Sequence, residues 1–369
     1  MLIKISERLL PFSHLPGTLV LLPGSSLRLQ VYPELVKIEN ISGPTPILLA
    51  TLLFQVRGPV EEFTVQQDLE KGCVRVWGHA THGFFRYTFH ALQQGSAALC
   101  HVEKGMKEEI VVTGAWTKHT IPEHTNQFII SHKNTDVAEM QPYTVPLIER
   151  LSLGNSKAQD WALISRRRKM EEIIPLWHCL GQLVITKKPS DFSNSSSLVE
   201  KCRQTIATSR CEAILPCFLD IFLTGFEGLL SPRFTDTDHQ GICSGLIHSP
   251  ESPLYLLKDG KSLIRSLFIQ ENGEKIHVLP ALLPEFHCGR LLDAKCVQSG
   301  ILSIEWSKKS LRRMTFSAKE EQSVVFTFSH DLTACRLRTD DNERGVQYVA
   351  GTPIKIVPDQ NYRFDNFRK

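Results

Sequence analysis

The hydrophobic period of this chain changes twice, from two to a helical spacing and back to two, which excludes both an all-helical and an all-sheet fold. Between Phe84 and His90, residues Phe85, Tyr87 and Phe89 fall on one face and Arg86, Thr88 and His90 on the other, the period of a half-buried strand. Thr18 to Leu22, Leu27 to Tyr32, Ile47 to Val56, Phe63 to Gln67 and Cys73 to Trp77 are further β-prone runs bounded by Gly, Pro, Ser or Asn. Runs at this spacing predict an antiparallel β-sandwich over residues 1–145.

After Pro146 the period lengthens. Met170, Ile173, Ile174, Trp177 and Leu180 recur at helical spacing, and Lys157 to Lys169 holds neither Gly nor Pro. Asn155 or Ser156 can cap that helix, and Pro175 predicts a break or kink in the seam. Leu198 to Ser209 and Cys211 to Thr224 read as further helices, and Ser252-Pro253 as another helix start. The Ser-rich stretch from Lys187 to Ser197 reads as an exposed loop. Strand patterns return at Ile301 to Trp306, Arg312 to Phe316, Ser323 to Phe328 and Ala334 to Arg338. Past Asp340 the chain is charged and poor in pattern. The expectation is an α+β multidomain protein: a β-sandwich domain at 1–145, an α-helical domain at 146–289, a small C-terminal β-domain at 290–340 and an irregular tail at 341–369.

Composition narrows the class. At 369 residues the chain exceeds one typical domain, and 42% hydrophobic against 22% charged residues suits a packed core. A net charge of +3 gives no overall field for nucleic acid or an anionic membrane. Glu7, Arg8, Pro11 and Pro16 interrupt what a secretory leader needs as an apolar run, and no uninterrupted apolar stretch reaches membrane-spanning length. The ten cysteines show no CxxC, and the nearest pair, Cys211 and Cys217, has Pro216 between its members. These features predict a cytoplasmic protein with buried thiols, no cofactor and no metal.

One stretch carries a family resemblance. Ile276-His-Val-Leu-Pro-Ala-Leu282, Gly289, Gly300-Ile-Leu-Ser-Ile-Glu-Trp306, Leu311 and Met314 to Ser317 resemble the barrel end and C-terminal β-domain of (α/α)6-barrel glycoside hydrolases of the large α-L-fucosidase type. That family also begins with a β-sandwich. The resemblance implies a carbohydrate-active or carbohydrate-binding protein on a partial α/α-barrel-like scaffold, with or without catalysis. Residues 146 to 289 hold only about five or six helices of ordinary length, so at most half a barrel fits. The apolar helix faces thus exposed predict a homodimer. The family's catalytic carboxylates map onto no residue here. The alternative is a non-catalytic interaction protein that uses the same scaffold to bind a protein partner.

Inverting glycoside hydrolysis needs two carboxyl groups, one as acid on the leaving oxygen and one as base on a water. The densest suitable segment, Gly225 to His239, supplies Glu227 as candidate acid and Asp236 or Asp238 as candidate base, with Arg233 and His239 beside them. Asp160, Trp161 and Trp177 are candidates for sugar binding, since an indole face stacks on a pyranose while a carboxylate accepts its hydroxyls. The bland readings are a solvated loop for the first group and core packing for the tryptophans. The basic run Arg166 to Lys169 can meet an acidic partner or simply be locally paired. His79 and His82 are three apart beside Trp77, with no third metal ligand near in sequence. GxSxG, Walker-type, GxGxxG and HExxH motifs do not occur.

Overall fold

The computed structural model of the chain describes residues 3–92, 95–105, 108–114, 118–131, 141–154, 158–185, 197–208, 211–234, 252–296, 300–329 and 332–369. Strands β1 (Phe12–Ser13), β2 (Thr18–Leu21), β3 (Leu27–Val31), β4 (Leu35–Asn40), β5 (Ile47–Leu53) and β6 (Glu61–Asp68) come first. They are followed by β7 (Cys73–Ala80), β8 (Gly83–Ala91), β9 (Ala97–Lys104), β10 (Ile110–Gly114), β11 (Lys118–Ile121) and β12 (Gln127–Ser131). Two six-stranded sheets result, ordered β1-β6-β7-β8-β9-β12 and β11-β10-β5-β4-β3-β2, and every pairing in them is antiparallel. The alternation that marked β8 decides its burial: Phe85, Tyr87 and Phe89 are fully enclosed. The sheets meet where Phe54, just beyond β5, stacks on Tyr87 of β8 at 4.5 Å between ring centres. Gln67 of β6 donates from Nε2 to the Leu21 carbonyl at 2.6 Å, tying one sheet to the other.

The middle of the chain holds β13 (Arg150–Ser152), α1 (Trp161–Arg167), α2 (Met170–Leu183), α3 (Ser197–Ala207) and α4 (Cys211–Gly225). A short hairpin, β14 (Phe226–Glu227) and β15 (Ser231–Pro232), and then α5 (Tyr255–Phe268) complete it. The helix is not broken at Pro175, and α2 runs through it. Pro175 stands early in the helix, so its missing N–H deprives only the Glu171 carbonyl of the first turn. The break falls instead at Arg168, in the left-handed region at φ 53°, where its N–H closes α1 on the Ile164 carbonyl. α5 starts two residues later than the expected Ser252 cap, with Leu254 at the N-cap position and no side-chain cap; Ser252 Oγ accepts from the Leu254 N–H at 3.2 Å and donates to the Ile41 carbonyl.

Ten strands follow. They are β16 (Ile269–Asn272), β17 (Lys275–Val278), β18 (Gly289–Cys296), β19 (Gly300–Ser307) and β20 (Ser310–Ala318), then β21 (Gln322–Phe328), β22 (Ala334–Arg338), β23 (Val346–Val349), β24 (Pro353–Ile356) and β25 (Tyr362–Arg368). A seven-stranded sheet has the order β13-β18-β19-β20-β25-β22-β23, and a four-stranded sheet the order β16-β17-β21-β24. In the latter, β17 and β21 are parallel. The two sheets pack through Phe326, whose ring lies 5.3 Å from Phe316 and 5.2 Å from Phe364.

The segment expected to be an irregular tail therefore carries β23, β24 and β25. Tyr362 and Phe364 alternate into the core, while Asp365 takes hydrogen bonds from Arg336 on β22. Cross-strand pairing of this kind lets a charge-rich strand sit in a sheet. The boundary expected near residue 290 is also bridged, because β13 pairs with β18. One contiguous apolar core extends from Val20 through Trp177 to Phe364. The protein is a mixed α+β structure with several antiparallel sheets and, among the described residues, five α-helices. No helix among those residues is long and apolar enough to cross a membrane.

Candidate functional site

Two glycines let α2 and α5 approach closely. A Cβ on Gly260 would stand 2.4 Å from the Trp177 indole, and one on Gly181 would stand 2.4 Å from the Leu257 carbonyl oxygen. Trp177 fills the space so left and donates from Nε1 to the Leu256 carbonyl at 3.2 Å. On α5 the buried residues Leu256, Leu257, Gly260, Leu263, Ile264, Leu267 and Phe268 form one stripe. Lys258, Lys261, Ser262 and Arg265 are spaced three and four apart, so they line the opposite face. The helix is thus apolar on one side and cationic on the other.

A buried carboxylate sits beneath that cationic face. Glu149 directly precedes β13, and the β13–β18 register, Leu151 opposite Leu291, carries it alongside β18. Its Oε1 accepts from Arg265 Nε at 3.0 Å and from the Lys295 backbone N–H at 3.1 Å. Its Oε2 lies 3.4 Å from His178 Nε2. Gln182 of α2 clamps the backbone of Glu149, donating to its carbonyl at 2.9 Å and accepting from its N–H at 2.9 Å. The same Gln182 amide nitrogen faces His178 Nδ1 at 3.3 Å. Arg265 continues the network, donating from Nη2 to Glu271 at 2.7 Å and to the Lys295 carbonyl at 2.6 Å.

The electrostatics follow from burial and neighbours. Burial pushes the Glu149 carboxyl up. The His178 contact and the charges of Arg265 and Lys261 outweigh that and hold it down at about 2. Burial pushes His178 below its ordinary value despite Glu149, so the ring is neutral at neutral pH. Lys261 is also pushed down by burial, against the pull of Glu149 and with help from Arg265, Lys295 and Lys258.

Over this network opens a depression of about 740 Å³, walled by Leu147, Ile185, Lys258, Lys261, Arg265 and Lys295 among others. Leu147 is 62% exposed and Ile185 38% exposed, so apolar side chains stand in water beside lysines. Among the described residues nothing lies in ion-pair range of the Lys261 or Lys295 ammonium groups.

The residues singled out from sequence do not converge on this site. Asp160 caps α1, accepting from the N–H groups of Ala162 and Leu163. Trp161 is buried with its ring edge-on to Phe222 at 6.1 Å. Trp177 is fully enclosed in the α2–α5 contact. Neither indole presents a face for a sugar. Glu227 lies in the β14–β15 hairpin, which docks on β2 through a 2.8 Å hydrogen bond from the Leu229 N–H to the Leu19 carbonyl. There Glu227 accepts from Arg28 Nη1 at 3.4 Å and stands 3.8 Å from Arg233 Nε. Arg28 in turn pairs with Glu39 at 2.7 Å and lies over the Phe234 ring. Through Arg28 the Glu227 carboxylate joins the hairpin to the first sheets.

Asp236, Asp238 and His239 lie outside the described residues, as do the helix-cap candidates Asn155 and Ser156. Of the basic run, Arg167 pairs locally with Glu172 at 2.7 Å. His79 is exposed and lies 3.6 Å from Glu62. Among the described residues no group of three His, Cys, Asp or Glu side chains is placed to hold a metal ion, and Cys73, Cys100, Cys179, Cys202, Cys217, Cys288, Cys296 and Cys335 are free thiols. The tryptophan of the Gly300 to Trp306 run is core as well: its Nε1 donates to the Phe286 carbonyl at 2.8 Å, and Gly289 leaves room for its ring.

Sequence reasoning missed Glu149, His178, Lys261, Arg265 and Lys295. One signal was available, the i, i+3, i+7 spacing of Lys258, Lys261 and Arg265 after the recognised Ser252-Pro253 start. A scan against protein-family models finds no match for this chain, and a search of curated proteins finds none either.

Proposed function

We propose that the chain is a non-catalytic interaction protein whose recognition surface is the cationic depression between α2, α5 and the 146–149 segment. The observation that carries this reading is the contrast between spent and unspent polar groups. Glu227, Arg28, Asp160 and the tryptophans Trp161 and Trp177 serve caps, ion pairs and core, whereas Lys261 and Lys295 line an open concavity and, among the described residues, make no ion pair within 4 Å. Beneath them Glu149 is ionised and His178 neutral and enclosed, which suits a rigid floor better than proton transfer.

The competing reading is a carbohydrate-binding or carbohydrate-active protein on the glycoside-hydrolase-like scaffold, with Glu227 and Asp236 or Asp238 as its carboxylates. A thermal-shift panel of mono- and oligosaccharides, paired with aryl-glycoside turnover, separates the two. The interaction reading expects a flat panel and no turnover, together with a stoichiometric protein partner that Lys295→Glu releases. Turnover that Glu227→Gln abolishes would replace it with the enzymatic reading. The mass from light scattering in the same preparation reads the proposed homodimer directly.

A further inference from the structure

On a surface separate from the depression, we infer that Trp77 anchors a binding site for a proline-rich segment of a partner protein in the polyproline II conformation. Alternation along β7 sends Val74 and Val76 into the core and turns Arg75, Trp77 and His79 outward. Trp161, Trp177 and Trp306 are each held in place, by the edge of Phe222 or by a backbone carbonyl. Trp77 is only half-buried, and among the described residues its Nε1–H has no acceptor and its ring no aromatic partner. With β6 on one side of β7 and β8 on the other, the indole stands on the open face of the sheet rather than at its edge.

The neighbours decide the ligand. Trp77 lies between Thr64 of β6 and Arg86 of β8, and Arg75 between Gln66 and Thr88. The oxygens around them are already engaged. Thr64 Oγ1 meets the Glu62 carbonyl and His14, Gln66 Oε1 accepts from Arg75 Nη1 at 3.5 Å, and the Glu103 oxygens take Thr88 and Arg86. Burial pushes the Glu103 carboxyl up, but the Thr88 hydrogen bond and the charges of Arg86 and Arg75 outweigh it and hold the group below its ordinary value. What stays open around Trp77 is donors: the indole N–H and the remaining N–H groups of Arg75 and Arg86, since one amide and one carboxylate do not fill two guanidinium forks.

A ligand complementary to donors around an indole brings acceptors and an apolar ring, with few donors of its own. Proline has that chemistry: its ring packs on the indole face, its carbonyl accepts, and it lacks an N–H. In polyproline II the backbone makes no internal hydrogen bonds, so its carbonyls are available. A saccharide adds a donor with every hydroxyl and meets engaged oxygens here, while a nucleic-acid phosphate meets guanidiniums that already face Glu103. A second seat lies about 7 Å further along β7, where His79 packs on Phe84 of β8 with ring centres 5.1 Å apart. Residues one turn apart in polyproline II are separated by about 9 Å, so a short segment reaches both seats. Its conformation is set before binding, which keeps the ordering cost low.

The test is fluorescence anisotropy on the full-length chain with a labelled, capped oligoproline of about ten residues, against a Gly-Ser peptide of equal length. The expected result is saturable oligoproline binding, little changed by added salt because the probe is uncharged. Trp77→Ala weakens it by about tenfold. Trp77→Phe, which keeps a ring and lacks the N–H, weakens it by about fivefold, and Lys295→Glu in the depression leaves it unchanged. Near-ultraviolet circular dichroism confirms the fold of each variant. The indole N–H resonance of Trp77, assigned by its loss in Trp77→Phe, shifts during the titration. Absence of binding, equal binding of the Gly-Ser peptide, or indifference to Trp77→Ala would overturn the assignment. So would displacement of the probe by an oligosaccharide or a single-stranded oligonucleotide. Release of the cellular partner by Lys295→Glu is read separately, so failure here and failure of the depression are distinguishable.

Discussion

Replacing Glu149 by Gln removes one charge from a nearly closed network and leaves its shape. At neutral pH the variant keeps Arg265, Lys261 and a buried His178 without the carboxylate that all three face. Breaking a buried ion pair in this way costs about 3–5 kcal/mol, because the remaining charge stays desolvated. Linkage gives a second, independent magnitude. The carboxyl titrates at about 2 in the folded chain against an ordinary value of 4.5, a difference worth about 3 kcal/mol. The sign is fixed by proton uptake: as pH falls below about 4.5 the unfolded chain takes up the proton first. The contribution is therefore complete above that pH and disappears as pH approaches 2.

Urea unfolding followed by tryptophan fluorescence at pH 7 and pH 3 reads both effects. Wild type should exceed Glu149→Gln by about 3 kcal/mol at pH 7 and by only about 1 kcal/mol at pH 3. His178, held below its ordinary value by burial, adds a decline on acidification in both proteins, so the difference between them is the quantity to read. A gap below about 0.5 kcal/mol at pH 7, typical of an exposed pair, would refute the reasoning. So would a gap of the same size at both pH values.

Other perturbations follow from the geometry. Gly260→Ala pushes a methyl group into the Trp177 ring and should lower stability by about 1–3 kcal/mol in the same urea assay. Asp160→Ala removes the acceptor of two N–H groups at the start of α1 and should cost about 1 kcal/mol, with no effect on partner binding at the depression. Trp306→Phe leaves the buried Phe286 carbonyl without its donor. It should cost about 1–3 kcal/mol from that loss, plus the cavity left by the smaller ring, visible as a lower urea midpoint.

Strands were legible where alternation was strict, as in Phe84 to His90, because one residue of slip would turn Phe85, Tyr87 and Phe89 out of the core. The segment after Asp340 hid its strands. Tyr362 and Phe364 keep the alternation, but the charges between them mean little until Arg336 supplies the partner of Asp365 across the sheet. Pro175 misled because its position within a helix, which sequence alone leaves open, decides whether a carbonyl in the middle loses its bond.

The candidate site was the least legible part. Glu149, His178, Arg265 and Lys295 are brought together by the α2–α5 contact, the Gln182 clamp and the β13–β18 pairing, and their separation in sequence conceals the cluster. The Gly225 to His239 segment drew notice instead because its carboxylates are dense locally. In space Glu227 is used by Arg28, 199 residues away.

The most direct test of the account is a lysine footprint by mass spectrometry, comparing the chain alone with its partner complex isolated from cells. Acetylation rates should fall at Lys258, Lys261 and Lys295 in the complex and stay unchanged at Lys308 and Lys319, which lie in the β19–β20 and β20–β21 connections and do not line the depression. Equal rates at the three depression lysines with and without partner, or protection confined to other faces, would contradict the claim that this depression is the recognition surface.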